Sequence, residues 1–441
     1  MKNDKRAIFG WAMYDWANSA YSTVVAGAVL PAFFAGVIVP EDGWHGMDGQ
    51  TIWSYTTGYA ALVLFLFMPV LGAIADYSAK KRKFLTTFAV FGSIFSVLLV
   101  FAVPGAVGLT LSIFFLAQFG FVAGNVFYDG FLPDISTDDT IDKVSSKGYA
   151  IGYVGGGVYL VMAVGLIFAA ESLGVDETLM TRIAISGAGL WWLLFSLFAI
   201  KRLPETGEAL EIPAEYAGRS KVSAYARIGF GRTVNTTRKL RQFPQLLLFV
   251  VAFILYNDGV QTVIGIAGVY ATDTLELSIL DITLAYIIVQ FVAWGGASLF
   301  GRLSYVMGIK PAIQLSLVIW ILVTTGAYFM PAGELTPFLV VAVVIGIVLG
   351  GTQALSRSLY GSMIPEAASA EFFGFFTVFS KFSAIWGPII FATFSRATGS
   401  GRQGILSLII FFIIGAILLS KVDIEEARAS RDRWDMAELD A

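Results

Sequence analysis

The stretch "YDGFLPD", residues 128–134, has a second copy in "YGSMIPE", residues 360–366. Both copies carry a tyrosine, a glycine within two residues, a proline and an acid in the same order. Each copy ends an apolar run, and each run is the fourth of a set of six. The repeat therefore predicts a chain built from two similar halves whose corresponding helices run in the same direction.

The composition indicates a membrane protein. Of the 441 residues, 57% are hydrophobic and 14% are charged, whereas about a quarter of an ordinary soluble domain is charged. A helix needs about 20 apolar residues to cross the hydrocarbon core. Twelve such runs lie near residues 9–38, 52–75, 84–103, 109–131, 148–170, 182–200, 244–270, 280–306, 311–330, 336–362, 372–396 and 403–421. The predicted fold is an all-α membrane protein of twelve transmembrane helices in two six-helix halves.

The predicted organisation is a first half at 1–200, a basic connector at 201–243, a second half at 244–421 and a tail at 422–441. With the N-terminus inside, 24 Lys and Arg residues fall on the inner side and three on the outer side. This asymmetry predicts two cytoplasmic termini, in the inner membrane if the chain is bacterial. The connector is either a basic amphipathic segment along the inner leaflet or a solvated linker.

Several classes of function are disfavoured by what the sequence lacks. Without cysteine there is no thiolate chemistry, and the single histidine, His45, lies in an expected outer loop. The sequence contains no G-x-x-x-x-G-K-[ST] motif, which disfavours an ATP-driven pump. We expect no enzyme activity, no metal or other cofactor and no nucleic-acid partner. We expect a monomer, with the first span retained rather than cleaved as a signal.

The first and seventh spans carry acids in matching places. Asp15 is followed three residues later by Asn18, and Asp258 is followed by Gln261. A carboxylate costs about 2.5–3.5 kcal/mol at the centre of a membrane helix on insertion scales, so such residues face the bundle interior. Asp258 lies about 21 Å along its helix from Pro244. The alternatives are that Asp15 caps or packs near the interface and that Asp258 makes a structural hydrogen bond.

Lys381 is the one basic residue clearly inside a span, and Asp15 and Asp258 are its candidate partners. Lys381 has three alternative roles. It would bind a substrate carboxylate, or it would release its acidic partner when that acid takes up a proton, or it would form a permanent structural ion pair. Trp11 and Trp386 are candidate pocket walls. The predicted substrate or proton pathway comprises Asp15, Asn18, Asp258, Gln261, Lys381, Asn257, Tyr14 and Tyr256.

The inner ends of the fourth and tenth spans predict an inner gate. Asp129 and Arg357 are expected to pair across the halves when that side is shut, or else to reach interfacial water. Asp134 and Glu366, beside the two prolines, are expected to be solvated. The predicted gate comprises Asp76, Asn125, Tyr128, Asp129, Gln353 and Arg357.

The exit of the second span, "GAIADYSAKKR" at 72–82, is similar to the G-x-L-a-D-r-x-G-r-[RK] signature of the major facilitator superfamily. Gly72 and Asp76 match the signature, whereas Ser78 and Ala79 depart from it. "YDWANSAYSTVV" (14–25), "NVFYDGFLPDIS" (125–136) and "GGTQALSRSLYGSMIP" (350–365) resemble the autophagy-related vacuolar amino-acid effluxers and their bacterial relatives. The resemblance implies alternating access and amino-acid substrates.

The expected function is secondary active transport of a small polar or zwitterionic solute, with amino acids as the first choice. A proton gradient is the candidate driving force and efflux the candidate direction, with protons and membrane lipids as further partners. The rival readings are a lipid or lysolipid translocase on the same fold and a non-transporting membrane sensor.

Overall fold

A computed structural model describes residues 2–205, 210, 212–213 and 220–433. The regular structure in these ranges is helical, apart from one isolated β-bridge between Trp44 and Met47. The helices of the first half are α1 (Lys5–Ala20), α2 (Val29–Phe33), α3 (Gly49–Ser78), α4 (Lys81–Leu98), α5 (Val107–Gly130), α6 (Leu132–Ile135), α7 (Ile141–Phe168) and α8 (Glu177–Ile200). Two π-helical segments, Tyr21–Ala28 and Phe34–Ile38, join and follow α1 and α2 into one long span.

The second half follows α9 (Lys221–Lys239), which lies within the predicted connector. Its helices are α10 (Pro244–Asp273), α11 (Ile279–Met307), α12 (Ile309–Phe329), α13 (Leu335–Met363), α14 (Ser369–Phe382), α15 (Trp386–Thr398), α16 (Gly401–Ser407), α17 (Ile409–Ser420) and α18 (Ile424–Asp432). Among the described residues, ten segments are long and apolar enough to cross a membrane. The predicted spans at 52–75 and 372–396 correspond to α3 and to the pair α14 and α15. Every predicted span thus has a helical counterpart, which confirms the all-α membrane fold.

The prediction of one continuous helix over 372–396 is wrong. Helix α14 ends at Phe382, and α15 begins three residues after Ser383 at Trp386. Pro388 explains the break, because a proline has no N–H for the residue four positions earlier and its ring clashes with that carbonyl. In the first turn of α15 the same proline is tolerated, since no intrahelical acceptor is needed there.

The chain forms two compact units that exchange short segments relative to the predicted halves. The first unit contains Met1–Ile135, Ile151–Gly231 and Ala368–Gly374, and the second contains Ser136–Ala150, Arg232–Ala367 and Phe375–Ala441. Helix α7 therefore begins in the second unit and continues in the first. The start of α14 belongs to the first unit.

In the second unit, α11 and α13 approach each other closely enough to exclude side chains from their contact. A Cβ atom added to Gly296 would lie 2.2 Å from the Ile347 carbonyl oxygen, and one added to Gly350 would lie 2.3 Å from that of Ala293. Small residues let membrane helices pack backbone to backbone, because association in lipid relies on van der Waals contact.

Helix α18 is fastened beneath the second unit by charged and amide groups. Arg431 donates to both carboxylate oxygens of Asp138, at 2.9 and 3.1 Å, and to the Ser362 carbonyl at 2.8 Å. The Gln245 side chain donates to Glu426 at 2.6 Å and accepts from the Asp423 N–H at 2.9 Å. The hydrogen bond to Asp138 raises the pKa of the Arg431 guanidinium above its ordinary value.

Candidate functional site

Asp15 lies on α1 at a close approach of α7 in the first unit. The Tyr128 hydroxyl of α5 donates to Asp15 Oδ2 at 3.0 Å. A Cβ atom added to Gly152 of α7 would lie 3.1 Å from Asp15 Cγ and 2.9 Å from Ser19 Oγ. We call Asp15, Ser19, Tyr128 and Gly152 the first acid cluster. Its carboxylate is half-buried.

Aromatic rings pack beside the first acid cluster. Trp11 stacks on Tyr128 with ring centroids 4.5 Å apart, and its Nε1–H donates to the Tyr128 carbonyl at 2.7 Å. The Tyr14 ring is centred 5.1 Å from that of Tyr128. One turn along α1, the Asn18 amide donates to Asn125 Oδ1 at 2.7 Å. These contacts bring the predicted pathway residues Tyr14, Asp15 and Asn18 together with the predicted gate residues Asn125 and Tyr128.

Asp258 lies at the break between α14 and α15 in the second unit. The N–H groups of Trp386 and Gly387 donate to its Oδ2 and Oδ1 at 3.0 and 2.8 Å, and the Thr262 hydroxyl donates to Oδ1 at 3.3 Å. Asp258 therefore caps the N-terminus of α15, where main-chain N–H groups lack intrahelical acceptors. We call Asp258, Thr262, Trp386 and Gly387 the second acid cluster.

The two clusters share a design that the sequence reasoning missed. A Cβ atom added to Gly387 would lie 2.7 Å from Asp258 Oδ1 and 1.9 Å from Thr262 Oγ1, as one added to Gly152 would crowd Asp15 and Ser19. In both halves the acid is followed four residues later by a hydroxyl residue. That spacing was a usable signal, because residues four apart share a helix face. The glycine partners carry no comparable signal in the sequence.

The other predicted pathway residues lie around the second acid cluster or elsewhere on the same helices. The Asn257 amide donates to Ser383 Oγ at the helix break, and the Tyr256 and Ser356 hydroxyls share a hydrogen bond of 2.7 Å. Gln261 is half-buried on α10. The Lys381 side chain lies outside the described part of the structure. Trp386 contributes its main-chain N–H, while its ring is exposed.

Asp76 belongs to a buried ion cluster in the first unit. Lys81 Nζ lies 2.8 Å from Asp134 Oδ2 and 3.5 Å from Asp76 Oδ1, and it donates to Ser369 Oγ at 2.7 Å. The N–H of Glu371 donates to Asp76 Oδ2 at 2.8 Å. The expectation that Asp134 is solvated is wrong, since its side chain is only 5% exposed and its charge is neutralised by Lys81. Glu366 is exposed, as expected.

Arg357 is buried in the second unit against the start of α7. Its guanidinium donates to Ser145 Oγ at 3.0 Å and to the Ser145 carbonyl at 2.9 Å, and it lies 4.0 Å from the ring centre of Tyr149. Gln353 and Asp129 are half-buried. The pairing of Asp129 with Arg357 stays a prediction. Within the described residues, no group of three or more His, Cys, Asp or Glu side chains is placed to hold a metal ion.

Comparison with known proteins assigns the chain to a family. A protein-family model described as "Vacuole effluxer Atg22 like" matches residues 3–432. The chain belongs to the Atg22-like effluxer family. An uncharacterized MFS-type transporter of Bacillus subtilis, YxiO, is 32% identical over 96% of this chain and 96% of its own length. Autophagy-related protein 22 of Coccidioides immitis is 26% identical over 98% of this chain and 89% of its own length.

Solved structures with the same fold come from the major facilitator superfamily. The proton:xylose symporter XylE superposes on this Atg22-like chain with a TM-score of 0.68, at 14% identity, over 96% of this chain and 98% of XylE. A bacterial homologue of the iron transporter ferroportin, in an outward-facing state, gives a TM-score of 0.64 at 11% identity over 96% and 99%. With the family match and the MFS-type relative YxiO, this fold shows that the Atg22-like chain is an integral membrane transporter of the major facilitator superfamily, and its relatives are transporters rather than enzymes. The predicted resemblance to this family and the predicted twelve-helix fold are confirmed.

Proposed function

We propose that this chain is a secondary active transporter that moves a small polar or zwitterionic solute, with amino acids as the first choice, by alternating access. Family membership supports the transport function, and the resemblance of the motifs at 14–25, 125–136 and 350–365 to vacuolar amino-acid effluxers supports the amino-acid choice. The observation that carries the proposal is the pair of acid clusters at matching positions of the two repeats. Carboxylates at such depth mark substrate or proton pathways in membrane proteins.

The two acids have different roles in this proposal. Both oxygens of Asp258 accept main-chain N–H bonds from the start of α15, and such donors stabilise the ionised carboxylate over the protonated acid. We assign Asp258 the role of a fixed anion that holds α15 in place. Asp15 receives its bond from the Tyr128 side chain, which can rotate away. We assign Asp15 the role of the acid that takes up and releases the driving proton during the transport cycle.

The ion cluster at Asp76, Lys81 and Asp134 supports a gate at that end of the molecule. Lys81 and Asp76 together engage Ser369 and Glu371 at the start of α14, so the cluster locks α14 to α3 and α5 within the first unit. Opening on this side would have to break these bonds. Because the chain has no cysteine, Ser369→Cys provides a single reporter thiol. Lys81→Gln should raise its labelling rate several-fold, whereas the exposed Lys143→Gln should not.

The orientation belongs to the same proposal. The excess of Lys and Arg residues on one side supports two cytoplasmic termini, and in this proposal the ion cluster lies at the cytoplasmic end. The proposal also includes a monomeric protein and efflux as the direction of transport.

The experiment is transport by purified protein in liposomes, offered labelled amino acids, sugars, peptides and phospholipids with and without a pH difference. We expect at least one amino acid to accumulate when the pH difference is imposed and to equilibrate without it. Liposomes without protein give the background. Movement of labelled phospholipid between leaflets in place of amino-acid uptake would favour a lipid translocase. Transport of no compound would favour a sensor.

A further inference from the structure

Helix α9 packs across one face of α3. Earlier along α3, the same face is exposed to lipid. On α3, Leu66 is 66% exposed, and Val70 and Ile74 follow it at four-residue spacing on the same face. A Cβ atom added to Gly229 of α9 would lie 2.5 Å from Ile74 Cγ1 and 3.1 Å from the Val70 carbonyl oxygen. This face of α3 is open to lipid at Leu66 and is covered by α9 from Val70 onward, one turn later. Helix α9 therefore lies at the boundary of the bilayer.

A second contact fixes the depth of α9 at the end of α3. The Tyr225 ring meets the Tyr77 ring edge-on, with centroids 6.3 Å apart. Tyr77 is the penultimate residue of α3, and the exposed basic residue Lys80 follows two residues after the helix ends. Tyrosines and basic side chains concentrate at the membrane–water interface, where an apolar body and a polar tip are both accommodated. Helix α9 therefore lies at the level of the lipid headgroups.

The outward face of α9 carries a basic residue beside an apolar one. The helix sequence contains no Asp or Glu, and of its basic residues Arg227 and Arg238 are exposed whereas Arg232 is buried. Arg227 is exposed, and Phe230, on the same face one turn later, is 64% exposed. Ala226 and Gly231 flank them and leave a shallow recess that Ser223 closes at one end. A positive charge beside an exposed aromatic ring matches an anionic headgroup above its acyl chains.

We propose that this face of α9, defined by Ser223, Ala226, Arg227, Phe230 and Gly231, binds the phosphate-bearing headgroup of an anionic phospholipid. The Arg227 guanidinium pairs with the lipid phosphate, since its planar fork matches phosphate oxygens. Phe230 contacts the upper acyl chains. The inference is independent of which solute is transported.

The absence of cysteine from the chain allows a direct test with one fluorescent label. In Gly231→Cys, the new side chain enters open space, because a Cβ atom at Gly231 meets nothing within 4 Å. A bimane label at this position is read in liposomes that contain brominated phosphatidylglycerol or brominated phosphatidylcholine as quencher. We expect phosphatidylglycerol to be preferred about fivefold, the usual contribution of one basic residue near an anionic surface. Raising the salt concentration should reduce the preference.

Two variants and one matched control decide the interpretation. Arg227→Gln should bring the preference close to one, and Phe230→Ser should weaken quenching by both lipids. Arg396→Gln, an exposed arginine on α15, should leave the preference unchanged. Equal quenching by both lipids in labelled Gly231→Cys without a second substitution would overturn the anionic assignment. Quenching by aqueous iodide and by neither lipid would overturn membrane contact itself, and an acidic soluble partner would then be the occupant to seek.

Discussion

Asp15 and Asp258 stand at matching places in the two repeats, each with a hydroxyl residue four positions later and a facing glycine, but their hydrogen-bond donors differ. Asp15 is met by the side chain of Tyr128, and Asp258 is met by two main-chain N–H groups at the start of α15. A side-chain donor can turn away when the carboxyl group takes up a proton, whereas main-chain donors are fixed by their helix. The same repeated position thus supports a changeable contact in one half and a permanent one in the other.

The largest expected effect separates the two acids by function. Asp15→Asn should reduce proton-driven accumulation of the solute at least tenfold, because an amide has no proton to exchange, while exchange of solute without a gradient continues. The measurement is uptake into liposomes with and without a pH difference. Asp139→Asn, which changes an exposed acid outside the clusters, is the control and should behave as the unaltered chain. Normal accumulation by Asp15→Asn would remove Asp15 from the coupling step.

The glycines offer a sharper test of how tightly each acid is held. Gly387→Ala should lower the free energy of unfolding by about 3 kcal/mol, since its Cβ would overlap Thr262 Oγ1 at 1.9 Å. Gly152→Ala should cost about 1 kcal/mol, because its nearest atom is 2.9 Å away. Thermal unfolding in detergent measures both. Gly265→Ala on α10 meets nothing within 4 Å and should be neutral or slightly stabilising. Equal costs at 387 and 152 would contradict the difference in packing.

Asp258→Asn tests the capping role directly. The amide keeps one acceptor oxygen, but its NH₂ group faces an N–H of α15, so one main-chain donor loses its acceptor. We expect the free energy of unfolding to fall by about 2 kcal/mol. Thermal unfolding beside Asp15→Asn gives the comparison, and Asp15→Asn should be nearly unchanged because the Tyr128 hydroxyl can donate to its amide oxygen. The reverse ranking would show that the two roles have been exchanged.

The smallest expected effect concerns the two hydroxyl donors. Tyr128→Phe should destabilise the protein by about 1.5 kcal/mol, because a hydrogen bond of 3.0 Å to a half-buried carboxylate is lost. Thr262→Val should cost less than about 0.5 kcal/mol, since its bond is longer, at 3.3 Å, and Gly387 still donates to the same oxygen. Denaturation curves of the two variants under one set of conditions provide the check. A larger cost for Thr262→Val would mean that the side-chain donor, not the main chain, holds Asp258.

The fold and its family could be predicted from the sequence because hydropathy and the repeated motif both act over whole helices. Asp15 and Asp258 could be chosen for the same reason, since an acid within an apolar run is conspicuous. Their partners could not, because Gly152 and Gly387 act by having no side chain. The burial of Asp134 was equally hidden, since it depends on Lys81, which is 53 residues away and brought near only by helix packing.

The fastening of α18 constrains the order in which the second unit can be completed. Arg431 holds Asp138, 293 residues earlier, and the Ser362 carbonyl, 69 residues earlier, so one guanidinium joins distant parts of the sequence. During synthesis, α10 and α13 leave the ribosome long before this arginine exists. Until α18 is synthesised, the loop around Asp138 has no cation from this helix, so this edge of the second unit is completed after α10 and α13.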